Sequence, residues 1–244
     1  MDSGSPKSFG QHFADVYDEW VASRVSDSHT RQSVETLADL AAGGKVLELA
    51  IGTGRVALPL AERGLSVQGI DASEAMVAKL REKPGGDAIP VTIGDFADVA
   101  VEGPFDLIYL VFNTLFNLTT QDAQVRCFRN VARRLSSRGL FVVEAFVPEI
   151  AEEQSVRTEQ ITADSVVLEA ALHDRVSQTV QYQYIVITDA GVRLYPVPMR
   201  YAWPSEIDLM SRLAGLELRQ RWADWERSPF TASSTAHVSV YGGK

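Results

Sequence analysis

Residues 45–61 read Lys-Val-Leu-Glu-Leu-Ala-Ile-Gly-Thr-Gly-Arg-Val-Ala-Leu-Pro-Leu-Ala. Val46, Leu47, Leu49 and Ile51 form an apolar run suited to a buried strand. Gly52 and Gly54 follow. Lacking Cβ atoms, they allow a sharp turn and let a ligand lie against bare backbone. Residues 55–61 then begin a helix whose first N–H groups have no partner within it and point at whatever occupies the turn. Glu48 stands four positions before Gly52, and Asp71 ends the next apolar run at 65–70. Together these features describe a nucleoside-binding crevice at the carboxyl ends of parallel strands.

The same alternation continues downstream. A helix is predicted at about 73–82, with Met76, Val77 and Leu80 inward and Pro84-Gly85-Gly86 as its stop. A short strand follows at about 90–93, and an almost wholly apolar one at 105–111, as expected for a strand covered on both faces. Thr119-Thr120-Gln121-Asp122 reads as a helix start, and a strand at about 140–147 closes at Pro148. Upstream, residues 1–8 read as a tail. Phe9, Phe13, Tyr17 and Trp20 share one face of a helix at about 9–25, and a second helix spans about 30–41. After 148 the pattern turns to half-polar, alternating β runs with a hairpin turn at Asp189-Ala190-Gly191. A helix at 204–214 and strands at 216–224 and 236–241 end the chain.

The expected fold is α/β: a Rossmann-like, seven-stranded, mostly parallel sheet with helices on both faces, plus an inserted antiparallel β lid. The expected organisation is an N-terminal helical lid (1–44), a cofactor-binding core (45–147), an inserted antiparallel sheet covering the acceptor site (148–202), and a C-terminal helix with the last two strands (203–244).

Composition narrows the function. The formal net charge is -9 over 244 residues, with no cluster of five or more Lys and Arg, so nucleic acid is not an expected partner. One cysteine, Cys127, rules out an internal disulfide and fits a reducing compartment. The first residues lack the features of a signal peptide, and no apolar run reaches the ~20 residues of a membrane span. The expected location is cytoplasmic, and no spacing suggests a metal site.

Gly52-Thr53-Gly54-Arg55-Val56-Ala57 fits G-x-G-x-x-A, a turn shared by nicotinamide, flavin and S-adenosylmethionine sites. Glu48 separates these. A carboxylate beside the first turn repels a pyrophosphate in a poorly hydrated crevice but tolerates a sulfonium and an α-ammonium group. The other reading of Glu48 is a strand-end residue paired with a basic neighbour. Asp71 can accept from both ribose hydroxyls or cap a helix, although Ser73 can serve as that cap. Asp95-Phe96 either meets an adenine amino group and ring or forms an ordinary surface turn.

With Gly69-Ile70-Asp71-Ala72-Ser73, Gly94-Asp95-Phe96 and Phe105-Asp106-Leu107-Ile108-Tyr109 added, residues 45–147 resemble class I S-adenosylmethionine-dependent methyltransferases. Trp203-Pro204-Ser205-Glu206 and Ser228-Pro229-Phe230-Thr231 resemble the small-molecule branch found in natural-product pathways. The resemblance implies S-adenosyl-L-methionine as methyl donor and S-adenosyl-L-homocysteine as product. It assigns Glu48, Gly52 and Gly54 to the methionine end, Asp71 to the ribose, Ala72 and Met76 to the adenine face, and Asp95 and Phe96 to its edge and ring. Ala50, Arg55 and Val111 complete the cofactor set. Ala50 stands where the family usually has its first glycine.

Methyl transfer needs orientation and exclusion of water more than a dedicated base. Residues 111–116 are expected to face the sulfonium. Phe112 and Phe116 with Tyr17 and Trp20 would wall an aromatic acceptor pocket, suited to a flat ring or a desolvated amine. The alternative is that Phe13, Tyr17 and Trp20 only dock their helix. Among the imidazoles, His12 and His173 are weighed as proton acceptors, and Phe112, Tyr17 and His173 are the catalytic candidates. The expected activity is methylation of a small secondary metabolite, at nitrogen ahead of oxygen or ring carbon. A homodimer through the inserted sheet is possible on this reading. The rivals are an NAD(P)-dependent oxidoreductase and a non-catalytic nucleoside-cofactor-binding protein.

Overall fold

The computed structural model describes residues 14–22, 25–149 and 152–243. Phe9, His12 and Phe13 lie outside them. In chain order the elements are α1 (Tyr17–Ala22), α2 (Asp27–Ala41), β1 (Lys45–Leu49), α3 (Ala57–Glu62), β2 (Ser66–Asp71), α4 (Glu74–Arg81), β3 (Val91–Ile93), β4 (Phe105–Leu110), α5 (Gln121–Ala132), β5 (Leu135–Phe146), β6 (Gln154–Ile161), β7 (Ser165–Asp174), β8 (Thr179–Thr188), β9 (Gly191–Arg200), α6 (Pro204–Leu213), β10 (Leu216–Trp222) and β11 (Ala236–Gly243).

Seven strands form one sheet in the order β10-β11-β5-β4-β1-β2-β3. The five strands from β5 to β3 run parallel, and β11 is antiparallel to both its neighbours. Strand alternation sorts the core into two layers. Leu47, Leu49, Ile108, Leu110, Phe141 and Val143 face α5 and α6 through Cys127, Phe128, Ile207 and Met210. Val46, Leu107, Tyr109, Val142 and Val240 face α2, α3 and α4 through Val34, Leu37, Leu60 and Leu80. Glu48 and Glu144 share the alternation of this second layer, so both carboxylates emerge toward α2 and α3 at the carboxyl edge of the sheet.

Local chemistry sets the helix starts. Ser26, Ser73 and Thr120 each cap a helix by accepting from the amide three residues on. Ser73, not Asp71, is thus the cap of α4. Strand β5 begins at Leu135, earlier than the apolar run suggests, because its first residues lie beside Phe105 at the start of β4.

The second sheet is a meander, β6-β7-β8-β9, antiparallel throughout. One face carries Tyr182, Tyr184, Val186, Tyr195 and Val197, and Val16, Tyr17 and Trp20 from around α1 pack against it. Trp20 meets Tyr184 edge-on at 5.2 Å between centroids. Among the described residues no helix is long and apolar enough to cross a membrane.

Candidate functional site

A narrow cavity opens at the carboxyl ends of β1 and β4. Its walls include Tyr17, Glu48, Ala50, Thr53, Arg55, Val111, Phe112 and Thr114. Six of the residues expected at the site therefore meet at one place: Tyr17, Glu48, Ala50, Arg55, Val111 and Phe112.

Glu48 is 4% exposed, and its Oε2 accepts from the Tyr109 hydroxyl at 2.8 Å. Its closest partner is thus a neutral phenol, not a basic neighbour. Burial pushes its pKa up to about 8, against the opposing pull of the Tyr109 hydrogen bond and the Arg55 cation. Burial also raises the Tyr109 and Tyr17 hydroxyls. Ala50 adopts a left-handed backbone (φ 57°), which only glycine accepts readily. The turn keeps that shape with a methyl group where the family has hydrogen. Gly52 and Gly54 are also left-handed, and a Cβ on Gly54 would collide with the Leu80 side chain.

Asp71 is buried at the end of β2. Its Oδ2 accepts from the Gly52 amide at 2.7 Å and its Oδ1 from the Ser73 amide at 2.8 Å. Burial raises its pKa, and these amides oppose the rise. The carboxylate thereby ties the glycine turn to the second strand, with lone pairs left for further donors. Met76 borders Gly52, its Cε 3.4 Å from where a Cβ would stand, and Ala72 sits between Asp71 and the α4 cap. Asp95 accepts from the Ala97 amide at 2.8 Å and lies 3.7 Å from Arg126.

Three expectations are corrected. Phe116 is fully buried and packs edge-on to Phe146 at 4.8 Å, so it belongs to the core rather than to a pocket wall. The Phe96 ring also lies in the core, 4% exposed, rather than against an open crevice. His173 does not line the cavity. It sits on β7 near Tyr182 and Tyr201, and burial with Arg157 and Arg175 lowers its pKa. His237 is core too, bonded to Ser239 and pushed down to about 4 by burial.

The structure adds residues that the sequence reading did not single out. His29, in the first turn of α2, lies 5.1 Å from the Phe112 ring, and the Arg55 guanidinium sits 3.2 Å from that ring's centroid. Glu144 on β5 joins His29, Trp225 and the Phe112 amide. Asp18 on α1 accepts from the Thr53 hydroxyl at 2.6 Å and pairs with Lys83 at 2.7 Å, and Lys83 donates to the Thr53 carbonyl at 2.9 Å. This latch seats α1 on the glycine turn and brings Tyr17 into the cavity.

The arrangement suits the cofactor implied by the sequence. Glu48 is a buried carboxylate that gains from a nearby cation, the glycine turn is held open by Asp71, and Asp71 retains acceptor capacity for hydroxyls. No cluster of three or more metal-binding side chains occurs among the described residues.

Comparison with known proteins agrees with this geometry. The methyltransferase domain family matches residues 46–139. The solved structure of the CcbJ methyltransferase from Streptomyces caelestis superposes with a TM-score of 0.93 at 41% identity, covering 98% of this chain and 99% of that one. The cypemycin N-terminal methyltransferase of a Streptomyces species is 28% identical over 202 residues, 81% of this chain and 82% of that protein. A dTDP-4-amino-2,3,4,6-tetradeoxy-D-glucose N,N-dimethyltransferase from Saccharopolyspora spinosa is 31% identical over 137 residues, 54% of this chain and 53% of its own length. A crevice built for a cationic nucleoside and a relative matched from end to end lead to one conclusion: the chain belongs to the class I S-adenosylmethionine-dependent methyltransferases of the small-molecule type.

Proposed function

We propose that the protein methylates the nitrogen of a small natural-product amine. One observation carries this reading. Phe112 forms a cavity wall with a half-buried Arg55 guanidinium pressed against its ring. Desolvation and the Arg55 charge both work against an ammonium ion at that wall, and Glu48, which a cation favours, is matched by the methionine ammonium group, so an amine entering there is driven toward its neutral, nucleophilic form. The names of the two curated relatives, one acting on a peptide N-terminus and one on an amino sugar, support the same acceptor chemistry.

S-adenosylmethionine, when bound, supplies an electrophilic methyl group on a sulfonium. The residues here divide the remaining tasks. Glu48, Ala50, Gly52, Gly54 and Arg55 receive the methionine end, with Glu48 matching its positive charge and Arg55 available to its carboxylate. Asp71 takes the ribose hydroxyls, Ala72 and Met76 the adenine face, and Asp95 with the backbone of Phe96 the adenine edge. Val111, Phe112 and Tyr17 exclude water and orient the acceptor. The apolar side chains that the small sheet leaves exposed, Val156 and Ile161 among them, are the surface through which we expect a homodimer.

The test is methyl label transfer from S-adenosylmethionine to four probes: an amino-sugar nucleotide, a short peptide with a free N-terminus, a phenol and bulk tRNA. Label on an amine, with a mass gain of one methylene per transfer, is the expected result. Label confined to the phenol or to tRNA would overturn the nitrogen assignment.

A further inference from the structure

The loop after β4 passes through two consecutive left-handed residues that are not glycine, Phe112 (φ 57°) and Asn113 (φ 64°). Residues with a Cβ stay there only when their surroundings hold them. The end of β5 does so. Glu144 Oε2 accepts the Phe112 amide at 2.8 Å, and the Glu144 carbonyl accepts the Asn113 amide at 3.3 Å. Asn113 Oδ1 in turn accepts the Phe146 amide at 2.7 Å. The other carboxylate oxygen, Oε1, lies 2.8 Å from His29 Nε2 and accepts from Trp225 Nε1 at 2.9 Å. One buried carboxylate thus gathers the β4 loop, the first turn of α2 and the connection between β10 and β11.

The donor pattern requires acceptors on both oxygens. An amide in the same place offers one acceptor oxygen and turns two N–H groups toward donors. His29 contributes twice, since its Nε2 meets the carboxylate while its ring packs against Phe112. Glu144 itself is not among the cavity walls, whereas Phe112 is.

We propose that Glu144 is a positioning residue for methyl transfer, acting through Phe112 by fixing that backbone and ring at the cavity wall, with His29 and Trp225 aligning the carboxylate. The proposal rests on the reading of Phe112 as an acceptor-side wall. It predicts a loss of orientation rather than a loss of cofactor.

The experiment is a double-mutant cycle with Glu144→Gln, Phe112→Ala and both together, using the amine probe that accepts label fastest. Glu144→Gln lowers kcat about tenfold or more while S-adenosylhomocysteine affinity stays within about twofold, and adding it to Phe112→Ala slows that variant no further. If the two losses multiply, or if cofactor affinity falls in step with kcat, Glu144 is merely structural and the proposal is overturned. A Phe112→Ala enzyme as active as the wild type would instead overturn the reading of the wall itself. Should Glu144→Gln not fold, His29→Gln takes its place in the cycle, with a smaller loss that again vanishes in the Phe112→Ala background. Without any acceptor, the clamp is read from the Phe112 amide proton, which shifts upfield in Glu144→Gln; an unchanged resonance overturns it.

Discussion

Glu48 is the residue where the electrostatics of the site are most exposed to experiment. Its carboxyl has a pKa of about 8 in the fold against an ordinary value of 4.5, because burial outweighs the Tyr109 hydrogen bond and the Arg55 attraction. Between those two values the folded chain keeps a proton that the unfolded chain releases. Its contribution to stability is therefore complete below about pH 4.5 and is lost as the pH rises to about 8. Glu48→Gln removes that loss. In scanning calorimetry without cofactor, the melting temperature of the variant gains on the wild type as the pH goes from about 6 to about 8.5. The same variant binds S-adenosylhomocysteine more weakly at the higher pH, where only the wild type presents a carboxylate. Parallel melting curves across that range would remove Glu48 from this role. Ala50 makes a related point. A lone substitution within a glycine turn looks like a missing motif in sequence, yet the fold bends it into the glycine conformation.

The elements were legible where one physical cause dominates. The buried strands β1, β2 and β4 declare themselves as apolar runs, and the helix caps as Ser or Thr before an amphipathic stretch. The proposed cofactor half of the site is readable because Glu48, Gly52, Gly54 and Asp71 sit at fixed positions in one strand–turn–helix–strand unit. The proposed acceptor half is harder to read. His29, Phe112, Glu144 and Trp225 meet from four elements, and nothing local in the chain marks them as partners. Phe116 lies in the core and not at the site because an aromatic beside the site and one beneath it share the same sequence pattern, and only the tertiary packing separates them. The contacts of α1 belong to the same class. Asp18 is held below the ordinary carboxylate range, since hydrogen bonds from Lys83 and Thr53 outweigh the burial that would raise it. The pair is half-exposed, so its worth is about 0.5–1 kcal/mol. Asp18→Asn keeps the Thr53 hydrogen bond but loses the ion pair, and S-adenosylhomocysteine binding weakens about two- to fivefold. Calorimetric titration at low and high salt checks this, because the deficit shrinks as salt screens the wild-type pair. A salt-independent deficit would point to packing of Tyr17 instead.

At the scale of the whole molecule, the small sheet is fastened to the helices of the core, and one buried cation does much of the fastening. Arg200, at the end of β9, is 5% exposed. It donates to Gln124 on α5 at 2.7 Å and to Glu206 on α6 at 2.8 Å, while its own carbonyl accepts from Gln124 at 2.7 Å. Gln178, in the β7–β8 turn, closes the network onto the other Glu206 oxygen at 2.6 Å. The small sheet and two helices of the core thus converge on a single ion pair, and Glu206 sits below its ordinary pKa because these donors outweigh its burial. Arg200→Met keeps the bulk and removes every donor, leaving Glu206 and Gln124 short of partners. Breaking such a pair from one side costs roughly 2–4 kcal/mol, or about 5–12 °C in melting temperature for a chain of this size. The acid limb changes as well. The stability that Glu206 contributes is present above its unfolded pKa and lost as the pH falls through its lower folded value, so in the variant this loss flattens. The functional signature tests the proposal that the small sheet covers the acceptor: on that proposal the KM for the acceptor rises while S-adenosylhomocysteine affinity holds, because the network does not touch the glycine turn. If cofactor affinity and acceptor KM worsened equally, the small sheet would be part of the cofactor site rather than its cover.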